Sequence, residues 1–300
     1  MTIGFRRGVG SLLALAWLGL RRKPRSSTTP SSILLLLTLA AAARADPLGD
    51  CAALLPGGVA PVYATAPAHH TELCHAPAFW LSHDDDAHEP RLVAWVVSAE
   101  HLKLPHIART DDFRPDVALP CVLWNKPTNS GRPACLRTTS ARPSDYAGSG
   151  YDQGHMSDAE DNGWSEATEH LSFLMSNMIP QCPTCNRQTW RYIENWTRKL
   201  TATHPLLYVM SGPVLSGLDD QQPMLIGKDG VNVPIASWKL VIDPAGNQAW
   251  GFIVTNDPAG LQPGADISLY VVAPRTVEEA AQMTLPIPAG IDRDKSAPLN

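Results

Sequence analysis

Residues 152–198 read DQGHMSDAEDNGWSEATEHLSFLMSNMIPQCPTCNRQTWRYIENWTR, and a few polar positions in this stretch stand out from their surroundings. His155 closes Asp152-Gln-Gly-His155 behind a flexible Gly148-Ser-Gly150, which predicts an exposed loop imidazole able to accept a proton. Asn177 is a polar residue inside the apolar run Phe173-Leu-Met-Ser-Asn-Met-Ile-Pro-Gln181. Asn186 stands just ahead of a helical pattern. Trp190, Ile193 and Leu200 recur at helical spacing with charges between them, which predicts a helix over 188–200 carrying Glu194 and Arg198 one turn apart. On a regular helix Glu194 lies about 80° and Arg198 about 120° round from Asn186, with an axial gap from Asn186 to Glu194 of about 12 Å. A hydrated divalent cation fits between them, bound directly by Asn186 and through water by Glu194, in the manner of Mg²⁺. Singly, each position has a plainer reading. His155 reads as a loop histidine, Asn177 as a turn residue, and Glu194 with Arg198 as a surface ion pair of little consequence.

Outward from this stretch the pattern is mostly strand. Leu92–Ser98, Leu206–Met210, Ala236–Ile242, Ala249–Thr255 and Ser268–Val272 are short, β-branched and aromatic. Asp243-Pro-Ala-Gly-Asn247 reads as a hairpin turn, and Thr276–Met283 as a second helix. The expectation is an α+β fold with a central antiparallel or mixed sheet flanked by helices. A single domain is expected over 90–300, preceded by an irregular Pro-, Ala- and His-rich segment over 46–89.

Together the polar positions resemble the DNA/RNA non-specific endonucleases of the ββα-metal type. That family reads D-R-G-H, then S-N-x-x-P-Q, then N-x3-W-x3-E-x3-R. Here the matching residues are Asp152, Gly154 and His155; Ser176, Asn177, Pro180 and Gln181; and Asn186, Trp190, Glu194 and Arg198. Arg109-Thr-Asp-Asp-Phe-Arg114 upstream, and Tyr208–Pro213, Val233-Pro234 and Trp238-Lys239 downstream, extend the resemblance over roughly 85–275. It implies His155 as general base, Asn186 as direct Mg²⁺ ligand, and Glu194 holding the hydrated ion. It also implies Asn177 as orienting residue, Arg198 and Arg109 as phosphate contacts, and 5′-phosphate products from DNA and RNA. Mn²⁺ is an alternative occupant of so aqueous a site. Gln153 departs from the family, which has Arg there. Loss of one charge-assisted phosphate contact costs about 1.5–3 kcal/mol, unless the Gln153 amide donates instead.

Residues 1–45 hold seven Lys and Arg and no acidic residue, with an apolar run Ile33–Ala43 and then Ala43-Arg44-Ala45. This is the order of a cleaved secretory signal, too short in its apolar run for a membrane anchor, and it predicts a secreted or periplasmic protein. All six cysteines follow it. Nearest-neighbour pairing gives Cys51–Cys74, Cys121–Cys135 and Cys182–Cys185. A zinc site drawing on His69, His70, Cys74 and His75 with Cys182 and Cys185 is the rival reading. Beyond residue 45 the chain carries 17 basic against 29 acidic residues, a formal charge of −12, which repels nucleic acid. Substrate binding then requires Arg109, Arg114, Arg187, Arg191, Arg198 and Lys199 to line a local cleft. The same charge, with Gln153, is the basis for an alternative: a weak or inactive nuclease-fold protein that binds nucleic acid without turnover.

Overall fold

The computed structural model describes residues 48–127, 133–215, 222–261 and 266–299, without the side chains of 122–137. The expected leader over 1–45 lies outside the described residues.

Seven antiparallel strands form the central sheet, in the order Val271–Val272, Gln248–Thr255, Ala236–Asp243, Leu206–Val214, Glu89–Ser98, Phe79–Asp84, His70–His75. Successive side chains of a strand point to opposite faces. Val93, Trp95, Val97, Leu207, Val209 and Val241 accordingly join one core, closed by Trp190, Ile193 and Leu200. Leu92, Ala94, Met210, Leu240 and Ile242 join the other, closed by Val277 and Ala281 of the helix Pro274–Ala281. With both faces covered, the strands need no polar alternation, and Leu92–Ser98 reads as a continuous apolar run.

The segment 46–89 is not the irregular stretch that its composition predicts. It contributes two strands to the sheet, His70–His75 and Phe79–Asp84. The first is a mostly polar edge strand whose residues alternate exposed and half-buried, and the second is buried throughout although it carries Ser82, His83 and Asp84. Neither presents the apolar alternation by which strands are recognised. The Asp243 turn forms as expected, its carboxylate accepting from the backbone N–H groups of Ala245 and Gly246. Ser268–Val272 is only partly strand, since Ile267–Tyr270 winds as a 3₁₀ turn.

A separate two-stranded ribbon pairs Asp152–His155 with Met178–Gln181, in the register Asp152 to Gln181 and His155 to Met178. The chain then runs through Cys185–Trp190 into the α-helix Arg191–Leu200. Ribbon and helix together make a ββα unit against one face of the sheet.

Candidate active site

His155 ends a strand rather than lying in the mobile loop that its neighbouring glycines suggest. Gly154 is needed for close pairing there, because a Cβ at that position would run into the Gln181 side chain. His155 is 8% exposed and its Nε2 has no hydrogen-bond partner among the described residues. Phe113 and Phe173 meet it edge-on, at ring-centroid distances of 5.6 and 5.0 Å. The Arg109 guanidinium lies over the Phe173 ring, 4.9 Å from its centroid, which brings this predicted residue to the same corner. Burial first, and the Arg109 charge second, depress the His155 pKa to about 3, against the opposing pull of Asp158 and Asp111. At neutral pH the imidazole is therefore an unprotonated acceptor.

This depression has a consequence for stability. The unfolded chain takes up the proton near pH 6.5 and the folded chain only near 3, so the stability this neutral imidazole provides at neutral pH is lost as pH falls between those values. Between pH 7.5 and 4.5 the loss is about 2–3 kcal/mol. Asp161, raised to about 6 by burial and then by Asp158, acts in the opposite direction, gaining stability as it protonates. The expected result is a steeper acid decline in wild type than in His155→Gln, measured by denaturant unfolding at several pH values. Parallel curves would contradict the burial of a neutral imidazole.

Asn177 is fully buried and acts on the backbone next to His155. Its Oδ1 accepts from Ser157 N at 2.8 Å, and its Nδ2 donates to the carbonyls of Ser157 and Ser172, each at 2.9 Å. Its own carbonyl accepts from Met156 N. It clamps the turn that follows the imidazole.

Asn186 is tied to the same ribbon. Its Nδ2 donates to Asp152 Oδ2 at 3.0 Å, which assigns the two ends of the amide and leaves Oδ1 without a protein partner among the described residues. Trp190 Nε1 donates to the His155 carbonyl at 3.2 Å. Two bonds thus join opposite ends of a four-residue strand to one turn of chain. That turn, Cys185–Trp190, is π-wound, so the regular helical angles and rise expected from Asn186 onward do not apply. π-bulges are frequent at functional sites. The turn begins at the Cys182–Cys185 disulfide, and the Cys182 carbonyl accepts from Asn186 N at 2.9 Å.

Glu194 is 7% exposed and faces Lys239, whose Nζ lies 3.8 Å from its Oε1, so it is not a surface partner of Arg198. Lys239 is itself buried, over the rings of Trp95 and Trp190 at 5.0 and 4.5 Å. Arg198 is enclosed by carboxylates: Asp158, Asp161 at 3.0 Å and Glu160 at 2.9 Å. The structure shows this guanidinium bracing the carboxylates beyond His155, and the phosphate contact that the resemblance implies is left as an expectation. Burial, and then Asp158, push the Glu194 pKa well above the carboxylate range, with Lys239 and Arg198 acting against them.

Comparison with known proteins decides the family. The family model for DNA/RNA non-specific endonucleases matches residues 68–287. The chain belongs to this family. It is similar to a nuclease of Nostoc sp., with 35% identity over 54% of this chain and 51% of that protein. Mitochondrial endonuclease G of Bos taurus is 31% identical over 48% of this chain and 50% of that protein. The chain spans about half the length of these curated relatives. Among solved structures, a chain of an EndoG/EndoGI complex superposes with a TM-score of 0.60 at 26% identity, covering 77% of this chain and 90% of that one. The match beginning at residue 68 takes in the two strands ahead of residue 90, as the sheet does.

In this member of the non-specific endonuclease family the residues at the site fit a hard divalent cation. Asn186 offers an oriented amide oxygen and Glu194 a carboxylate, both ligand types that suit Mg²⁺ or Mn²⁺. Zinc does not fit. Cys74, Cys182 and Cys185 are disulfide-bonded, His69 pairs with Asp86 and His75 with Asp116. No group of three or more His, Cys, Asp or Glu converges on a metal among the described residues. Cys51–Cys74 and Cys182–Cys185 pair as expected; Cys121 is also bonded, and the Cys135 side chain lies outside the described residues.

Asp161 and Lys239 carry the buried charge network yet are not evident as site residues from sequence. Asp158 and Asp161 sit three apart beyond His155, a spacing that could have marked them. Lys239 is marked in sequence only within Trp238-Lys239 of the family resemblance, with no role attached, and it reaches Glu194 through the packing of strand Ala236–Asp243 under the helix.

Proposed function

We propose that this chain is an exported, Mg²⁺-dependent endonuclease that hydrolyses DNA and RNA phosphodiesters without sugar preference, leaving 5′-phosphate ends. The observation that carries this reading is the neutral, partnerless Nε2 of His155 held on the same short strand that anchors Asn186. The neutral His155 imidazole takes a proton from the attacking water. A base with so low a pKa is weak, and Arg109 is part of the cause. A substrate phosphate beside Arg109 offsets that positive charge, so basicity rises when substrate is bound. Asn186, and Glu194 through water, would hold the cation, which when bound stabilises charge developing on the phosphate and the leaving 3′-oxygen. Asn177 keeps the turn after His155 in place, while Lys239 holds the Glu194 carboxylate from beneath. Contacts to the backbone alone carry no base information, which is why little sequence specificity is expected.

Two disulfides among the described residues and the leader-like order of 1–45 support a secreted or periplasmic location. Among the described residues no helix is long and apolar enough to cross a membrane.

Purified protein is expected to degrade supercoiled plasmid and single-stranded RNA in Mg²⁺ and to stop when EDTA is added. Binding of both nucleic acids without cleavage in Mg²⁺ or Mn²⁺ would overturn the reading in favour of an inactive nuclease-fold binding protein, the outcome that Gln153 and the acidic surface argue for.

A further inference from the structure

Gln153 leaves the Asp152–His155 strand without the cation that the family pattern places there, and the fold brings a different one to the same strand. Arg187 follows Asn186 directly on the π-wound turn. Its Nε donates to Asp152 Oδ2 at 2.8 Å and its Nη2 to Oδ1 at 2.6 Å, a two-pronged fork, while the side chain remains 68% exposed. The same Oδ2 accepts from Asn186 Nδ2 at 3.0 Å. One carboxylate therefore orients both the amide assigned to the metal and the guanidinium beside it.

Three other arginines near the site are committed differently. Arg198 is enclosed by Asp158, Asp161 and Glu160. Arg114 is drawn to Asp112, and Arg109 to Asp111. Arg187 uses one edge of its guanidinium on Asp152 and keeps Nη1 free of hydrogen bonds among the described residues. A guanidinium fixed in this way has lost part of its rotamer freedom in advance and presents N–H donors matched to phosphate oxygens.

We propose that Arg187 is a phosphate-binding cation of this enzyme, taking the place of the arginine that is missing at position 153 and gripping the nucleic-acid backbone beside the scissile bond. This rests on the nuclease reading and names how that site holds its substrate. It also answers the objection from net charge at one point, by setting an exposed, braced cation next to the metal position on an otherwise acidic body.

The test is an exchange of charge along the strand. Arg187→Gln is expected to raise KM for double-stranded DNA about tenfold with a smaller change in kcat. It is also expected to reduce the slope of log affinity against log salt by about one, with the thermal midpoint unchanged. Adding Gln153→Arg to that variant is expected to recover most of the lost affinity and the salt slope. Arg275→Gln, an exposed arginine paired with Asp294 outside the site, serves as the charge control and should leave the slope alone. The proposal is overturned if Arg187→Gln keeps the wild-type KM and salt slope. It is equally overturned if the loss comes with a lowered thermal midpoint or is not recovered by Gln153→Arg. The salt slopes come from binding in EDTA. A wild-type protein that binds but never cleaves would thus refute the nuclease reading and still leave Arg187 testable.

Discussion

Replacing His155 with alanine is expected to lower kcat on plasmid DNA by two to four orders of magnitude, the usual range for a positioned general base. The protein should remain folded. The His155 carbonyl still receives the Trp190 N–H, and the strand register with Met178 uses backbone atoms alone. Truncation opens space between Phe113 and Phe173, a packing loss of about 1–3 kcal/mol, but it removes no polar partner of Nε2 among the described residues. The rate should not recover with added Mg²⁺, since the lost group is the proton acceptor. Measurement of kcat at saturating metal with thermal midpoints alongside separates the two effects. A folded variant within threefold of wild type would remove His155 from the mechanism.

Asn186→Ala is the second large effect. It removes the amide oxygen assigned to the cation and one donor to Asp152, while Arg187 continues to hold that carboxylate by two bonds. Activity at millimolar Mg²⁺ is expected to fall about 10²–10³-fold, on the scale of losing one electrostatic contact to developing charge. Unlike the His155 variant, it should require much more metal for half-maximal activity. A titration with Mn²⁺ at fixed substrate checks this. An unshifted midpoint would mean that the ion is held elsewhere.

How much of this site could be read from sequence follows from which forces are local. Asn177 is a polar residue interrupting an apolar run, and Asn186 and Glu194 are placed by their spacing ahead of and along a helical pattern; such signals survive in one dimension. The strand runs of the sheet were equally plain, since two covered faces require apolar side chains on both. What was lost depends on partners far along the chain. His155 looks mobile behind its glycines until Gln181 explains why Gly154 must be there. Arg198 looks like a surface partner of Glu194 until Asp158 and Asp161 close round it. The π-wound turn at Asn186 follows a disulfide and a tryptophan anchored on another strand, neither of which enters a count of 100° per residue. The strands within 46–89 are not legible in sequence because an edge strand and a buried strand carrying His and Asp both lack the usual alternation.

The central claim is that the His155 imidazole and the Asn186 amide meet across one bound cation. Paramagnetic broadening tests it without reference to turnover. With the ten histidines observed by NMR and His155 assigned through His155→Gln, substoichiometric Mn²⁺ is expected to broaden the His155 ring signals first, and to do so in wild type but not in Asn186→Ala. A His155 resonance that stays sharp while Mn²⁺ is bound, or one that broadens equally without Asn186, would contradict it.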